Sequence, residues 1–292
     1  MDGLYLNNLP LTDGWATTLA QDLLETESNR GLTGPHRPAD FAHRLYASEA
    51  LNPAAGRADD RAEPYTLQWF LDIETQRHGR QGRWIPRLLE FAKHPGETLL
   101  GLGHGLGTDW LQYARHGAAV VVCSPSTEQL GLIRRNFELR GLSGRFVHAG
   151  FSPLPLESAS IDVACVSSLL HEVEHPEELV AEVYRVLKPG GKVLAVTGAH
   201  YDIDFWHRFW FPWVRWMAGT NTAPAPAAMR LSGRRLRKLF GQFIEHRVYK
   251  RHLRRSEVPH IWRWLPLPLL ERIGGRALVL KAFKPLTAGG SA

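Results

Sequence analysis

The chain has almost no cysteine. Only Cys123 and Cys165 occur in 292 residues, each inside an apolar run (VVVCS and IDVACV). That excludes a disulfide framework and a thiolate metal cluster, and it fits a reducing compartment. Long apolar runs are also missing. None approaches the roughly 20 residues that a bilayer-spanning helix needs. No basic segment followed by an apolar one opens the chain, so no signal peptide is expected and a cytoplasmic location is predicted. Internal repeats and low-complexity tracts are absent too. The histidines number 14, but His200/His207 and His246/His252 lack the i, i+4 spacing of a helical zinc pair, so no metal site is expected.

Acidic residues are scarce in one third of the chain. Residues 1–64 carry 5 Arg/Lys against 10 Asp/Glu, residues 65–200 carry 13 against 14, and residues 201–292 carry 17 against 5. A basic C-terminal third points either to a solvated face or to an acidic partner such as anionic lipid. Nucleic acid is not favoured, because no recognition motif accompanies the charge. Nothing in the sequence sets the oligomeric state.

Residues 1–64, rich in Pro, Gly, Asn and Asp, read as a poorly ordered arm. From residue 65 to 292 the patterning reads as one domain with additions. Residues 65–96 form a helical cap, with Trp69, Phe70 and Ile73 on one face and a second helix beginning near Pro86. Residues 97–200 alternate strand and helix: strands near Glu97–Leu102, Ala119–Ser124, Gly144–His148, Ile161–Val166 and Lys192–Thr197, with helices between them. Short Val/Leu/Ile-rich strands separated by helices predict a doubly wound, mostly parallel α/β sheet. Residues 201–231 hold an aromatic block in which Phe205, Trp206, Phe209, Trp210, Trp213 and Trp216 recur at helical spacing. It reads as a lid over an apolar ligand, as an interfacial helix, or as a helix packed on the sheet. Residues 232–292 supply a helix capped by Ser232 and two further strands with a basic surface. Between the strands lies a second aromatic segment, IWRWLPLPLLERI.

The most informative stretch is LLGLGHGLG at 99–107, an apolar strand running into a glycine-rich turn that opens a helix. Glycine lets a ligand lie against bare backbone, and the helix start points unpaired N–H groups at it. The stretch LLGLGHGLGTDWLQYARHGAAVVVCSPSTEQL, followed by AEVYRVLKPGGKVLAV, resembles class I S-adenosylmethionine-dependent methyltransferases. It is most similar to the small-molecule branch labelled methyltransferase type 11. The resemblance implies a seven-stranded, Rossmann-like sheet whose last strand is antiparallel, with the cofactor S-adenosylmethionine at the carboxyl ends of the strands. Gly103, His104, Gly105 and Gly107 match the family's glycine turn. Three carboxylates that the family commonly supplies fall on Gly101, on Ser124 and near Gly150. By position in the resemblance, Gly101, Ser124, Pro125, Gly150, Phe151 and Ser168 are expected to join the turn in binding the cofactor. Asp109, just inside the helix, reads as a first-turn acid favoured by the helix dipole. The loop SSLLHEVEHPEE is the one that faces the transferred methyl group in the family. His171 and Glu172 therefore read either as proton acceptors or as loop packing.

These readings converge on methyl transfer to a small apolar or lipid-like acceptor, by a cytoplasmic protein that meets a membrane peripherally. The alternative is a catalytically inactive binding or regulatory module on the same scaffold, favoured by the three missing carboxylates.

Overall fold

The computed structural model describes residues 65–79, 82–103, 105–170, 173–203, 205, 231–253, 255, 258 and 262–286. The expected N-terminal arm and the aromatic block from Trp206 onward lie outside the described residues. So do His104, His171 and Glu172.

Two helices come first, α1 (Leu67–His78) and α2 (Ile85–Leu89). Thr66 caps α1 by accepting from the Trp69 N–H. Pro86 stands in the first turn of α2, where its missing N–H costs nothing. The alternating part follows: β1 (Thr98–Gly103), α3 (Thr108–Arg115), β2 (Ala119–Ser124), α4 (Thr127–Glu138), β3 (Arg145–His148), β4 (Ile161–Ser167), α5 (Pro176–Val186) and β5 (Leu187–Gly198). The chain closes with α6 (Gly233–Leu239), β6 (Ile244–Arg251), α7 (Leu267–Gly274) and β7 (Ala277–Phe283).

The seven strands form one sheet in the order β3-β2-β1-β4-β5-β7-β6. The pairs from β3 through β5 are parallel, and β7 runs antiparallel to both of its neighbours. This is the expected doubly wound sheet with an antiparallel last strand. One boundary differs. The fifth strand, expected near Lys192–Thr197, already begins at Leu187, which pairs with Ile161. The pairing resumes at Lys192 opposite Val163 after an irregularity, so the Pro-Gly-Gly segment is absorbed within β5, between its two stretches of pairing with β4.

Strand alternation sorts the side chains onto two faces. Leu100, Leu102, Val121, Ala164 and Val166 pack with α5 and α6 through Leu179, Val183, Leu236 and Phe240. Leu99, Val120, Val122 and Cys165 pack with α2, α3 and α4 through Leu89, Trp110, Ile133 and Phe137. Trp69, Phe70 and Ile73 of α1 close over Leu106 and Leu132, which brings the first helix against the glycine turn. Glu90, between α2 and β1, binds Lys192 of β5 at 2.6 Å and Lys281 of β7 at 2.8 Å. This clamp holds the helical cap to the two strands.

Candidate active site

The strand order reverses direction about β1, which lies between β2 and β4. The crevice at the carboxyl ends of such strands is where open α/β sheets bind ligands. The glycine turn occupies that point. Gly103, Gly105 and Gly107 have φ values of 148°, 134° and 73°. At Gly103 a Cβ would stand 1.9 Å from the Ser167 carbonyl oxygen, so neither the dihedral nor the space admits any other residue. Gly107 precedes α3 in the left-handed conformation, and its carbonyl accepts from Leu111 to start the helix.

Two of the three positions that lack the expected carboxylate are filled by internal contacts, and the third is open. Gly101 lies under α3: a Cβ there would come within 2.6 Å of the Trp110 indole, which is buried. The indole fills the volume that an acidic side chain at 101 would need. Ser124 ends β2 and is buried. Its hydroxyl donates to Gln129 Oε1 at 2.6 Å and accepts from the Ser126 N–H at 3.1 Å. Gln129 in turn donates its amide to the carbonyls of Gly103 (3.0 Å) and Gly105 (2.9 Å). Ser124 therefore braces the glycine turn through Gln129, and its oxygen is already engaged within the protein. Gly150 has nothing within 4 Å of an ideal Cβ, so this side of the crevice is open. His148 binds the Pro125 carbonyl at 2.9 Å, which fixes the loop after β2. Phe151 packs, partly buried, against the α5 side of the core, and Ser168 follows β4 with φ 54°.

Three groups that sequence reasoning did not single out, or read as ordinary, converge beside the turn. Asp109, 3% exposed, is gripped by Arg77 of α1 through Nε–Oδ1 at 2.7 Å and through a second bond from Nη2 to Oδ2. His78 adds a contact to Oδ1 at 3.0 Å. Burial pushes the Asp109 carboxyl pKa up, but the Arg77 and His78 contacts outweigh it and hold it well below the usual carboxylate range. Arg77 also reaches the Ser167 hydroxyl at 3.4 Å, which places its guanidinium at the carboxyl end of β4. Asp109 is thus one half of a buried ion pair that locks α1 onto α3. Arg77 carries no sequence signal of this role, since a basic residue in a helix's last turn is ordinary. Burial pushes the thiols of Cys123 and Cys165 to about 12, so neither is a nucleophile at neutral pH.

Among the described residues no cluster of His, Cys, Asp or Glu has the composition of a metal site. The glycine turn fits a nucleoside laid against backbone, with open space toward Gly150. At the end of β2, Ser124 and Gln129 share one hydrogen bond, and the Gln129 amide nitrogen is spent on the turn's carbonyls.

Residues 99–195 match the family described as "Methyltransferase domain". A ubiquinone/menaquinone biosynthesis C-methyltransferase of Brucella anthropi is 29% identical over 127 residues, which are 42% of this chain and 48% of that protein. A demethylmenaquinone methyltransferase of Streptomyces avermitilis is 30% identical over 147 residues, 50% of this chain and 60% of its own length. The chain spans about half the length of the curated relatives it matches. Among solved structures, a SAM-dependent methyltransferase from Aquifex aeolicus superposes with a TM-score of 0.52 at 14% identity, covering 75% of this chain and 98% of that one. The [4+2]-cyclase SpnF superposes at 0.53 with 18% identity, covering 85% and 96%. These two likenesses establish the fold alone, and the cyclase shows that the fold by itself does not fix the reaction.

Proposed function

We propose that this chain, whose residues 99–195 match the methyltransferase domain family, transfers a methyl group from S-adenosylmethionine to a small apolar acceptor of the quinone type. The observation that carries this reading is the glycine turn at the carboxyl end of β1, with Gly103, Gly105 and Gly107 all at positive φ and open space beside Gly150. The names of the curated relatives support the choice of acceptor. When bound, S-adenosylmethionine supplies an electrophilic methyl group on a sulfonium. The backbone of Gly103–Gly107 would hold the nucleoside, with Ser124 acting through Gln129 to keep the turn's carbonyls in place. Pro125, Phe151 and Ser168 would border the crevice. Methyl transfer is an in-line displacement, so holding donor and acceptor in line is the larger part of the work. His171 and Glu172 are assigned from sequence position as the groups that take the acceptor's proton. On this assignment His171→Ala lowers kcat by about 10²-fold or more with donor affinity unchanged; an unaltered kcat would assign the loop to packing.

Such an acceptor partitions into lipid, so the protein would be a cytoplasmic one that works at a bilayer surface. Among the described residues no helix is long and apolar enough to cross a membrane.

Calorimetric titration with S-adenosylmethionine and with its demethylated product tests the reading. Micromolar binding of either is expected. No heat from either up to millimolar concentration would sink the methyltransferase assignment.

A further inference from the structure

Seven large hydrophobic side chains are exposed among the described residues, and four of them belong to the segments that follow β5 and β6 at the carboxyl end of the sheet. Trp264 is 78% exposed, Tyr201 47%, Leu269 46% and Ile273 42%. Lys250 joins the parts of this surface, since its ammonium donates to the carbonyls of both Tyr201 and Ile273. Trp264 does not project from a slack loop. Arg255 donates to the Arg263 carbonyl at 2.8 Å, Arg263 donates to the Val258 carbonyl at 2.9 Å, and the Leu265 N–H donates to the Trp262 carbonyl at 3.0 Å. A braced turn that presents an indole to solvent is an arrangement the fold does not need for its own core.

Helix α7 repeats the division. Leu270 and Gly274 turn inward, while Leu269 and Ile273, also four residues apart, face out beside exposed Arg272. Behind α7 lies a cavity of about 170 Å³ with wholly apolar walls, lined in part by Ile203, Val258, Trp262 and Leu270. Ile273 belongs both to the cavity wall and to the exposed face, so the cavity lies directly behind that face. The sequence of this segment is predominantly positive: residues 250–276 contain seven Arg/Lys against two Asp/Glu. Amphipathic side chains with aromatic tips among arginines and lysines match the boundary between headgroups and acyl chains. Fixed positive charge there matches anionic lipid.

We propose that the face formed by Tyr201, Trp264, Leu269 and Ile273, with the exposed Arg272 beside it, docks on an anionic lipid bilayer, with the apolar cavity directly behind it. The proposal rests on the reading of the chain as a protein that meets membranes peripherally. It does not rest on methyl transfer, since vesicle binding needs neither donor nor acceptor.

The test is co-sedimentation of the purified full chain with vesicles of phosphatidylcholine alone and with vesicles containing 30 mol% phosphatidylglycerol, roughly the anionic fraction at which surface potential becomes strong. The anionic vesicles are expected to bind at least about tenfold more tightly, and the excess is expected to vanish as salt shortens the screening length. Trp264→Ser combined with Leu269→Ser should weaken partitioning about tenfold or more. Arg272→Gln should weaken it about fivefold on anionic vesicles and leave neutral ones unaffected. Both variants alter exposed side chains, so their thermal midpoints should match the parent. Failure of the parent protein to sediment with anionic vesicles would overturn the proposal, as would variants that sediment equally well. Self-association of the parent that Trp264→Ser abolishes, without vesicle binding, would assign the face to a second copy of the chain instead. Donor titration of the same samples separates these outcomes from failure of the methyltransferase reading.

Discussion

Replacing Arg77 by methionine tests how the site is held together. Asp109 is almost fully removed from solvent, and two guanidinium bonds supply most of what compensates it. Methionine keeps the volume of the side-chain stem and removes the charge. A carboxylate is then left buried with only His78 beside it, and such half-broken pairs cost about 3–5 kcal/mol. With a urea m-value of roughly 3 kcal/mol/M, the unfolding midpoint falls by about 1–1.7 M. Replacing both partners, Arg77→Met with Asp109→Leu, leaves no orphan charge. It should recover most of the loss, giving a coupling of about 3 kcal/mol in the double-mutant cycle. The pH dependence carries a second sign. In the parent, Asp109 is depressed, so its contribution is complete above the ordinary aspartate pKa and is lost as pH falls. In Arg77→Met, burial dominates and raises the carboxyl, so acidification relieves the orphan charge. The gap between parent and variant should therefore narrow as pH falls from 7 toward 4, followed by urea titration monitored by circular dichroism. A single variant costing less than about 1 kcal/mol, or a double variant as unstable as the single one, would refute the assignment of this pair as the lock between α1 and α3.

Two other consequences follow from the packing. Gly101→Ala places a methyl group within 2.6 Å of the Trp110 ring and should cost about 1–3 kcal/mol by thermal unfolding; Gly101→Ala in a Trp110→Leu background should cost much less than it does alone, and equal costs would show that the indole is not the obstacle. Burial pushes Glu90 up, but Lys192 and Lys281 outweigh it and hold its pKa to about 2, below the reference value of 4.5. Its stabilisation is therefore present above pH 4.5 and lost as pH falls toward 2, on the order of 3 kcal/mol, and Glu90→Gln should flatten the acid limb of the stability profile.

The order of elements was written plainly in the sequence. Short β-branched strands separated by amphipathic helices have few ways to bury both faces of a sheet, and LLGLGHGLG reads as an apolar strand running into a glycine-rich turn. The cap on α6 at Ser232 and the strands at 244–251 and 277–283 were legible for the same reason, since local patterning and capping act over a few residues. What the sequence showed as three absences, at Gly101, Ser124 and Gly150, only the tertiary structure turned into an arrangement. The Trp110 indole over Gly101, the Gln129 amide bridging Ser124 to the glycine turn, and the Arg77 guanidinium reaching Asp109 from 32 residues away are contacts between elements that no local pattern encodes. The same holds for the face around Trp264. Its aromatic and basic composition was visible in the one-dimensional chain. Whether those side chains turned inward or toward solvent was decided by which side of α7 the cavity and sheet took, because burial is a property of the packed chain and not of the residue.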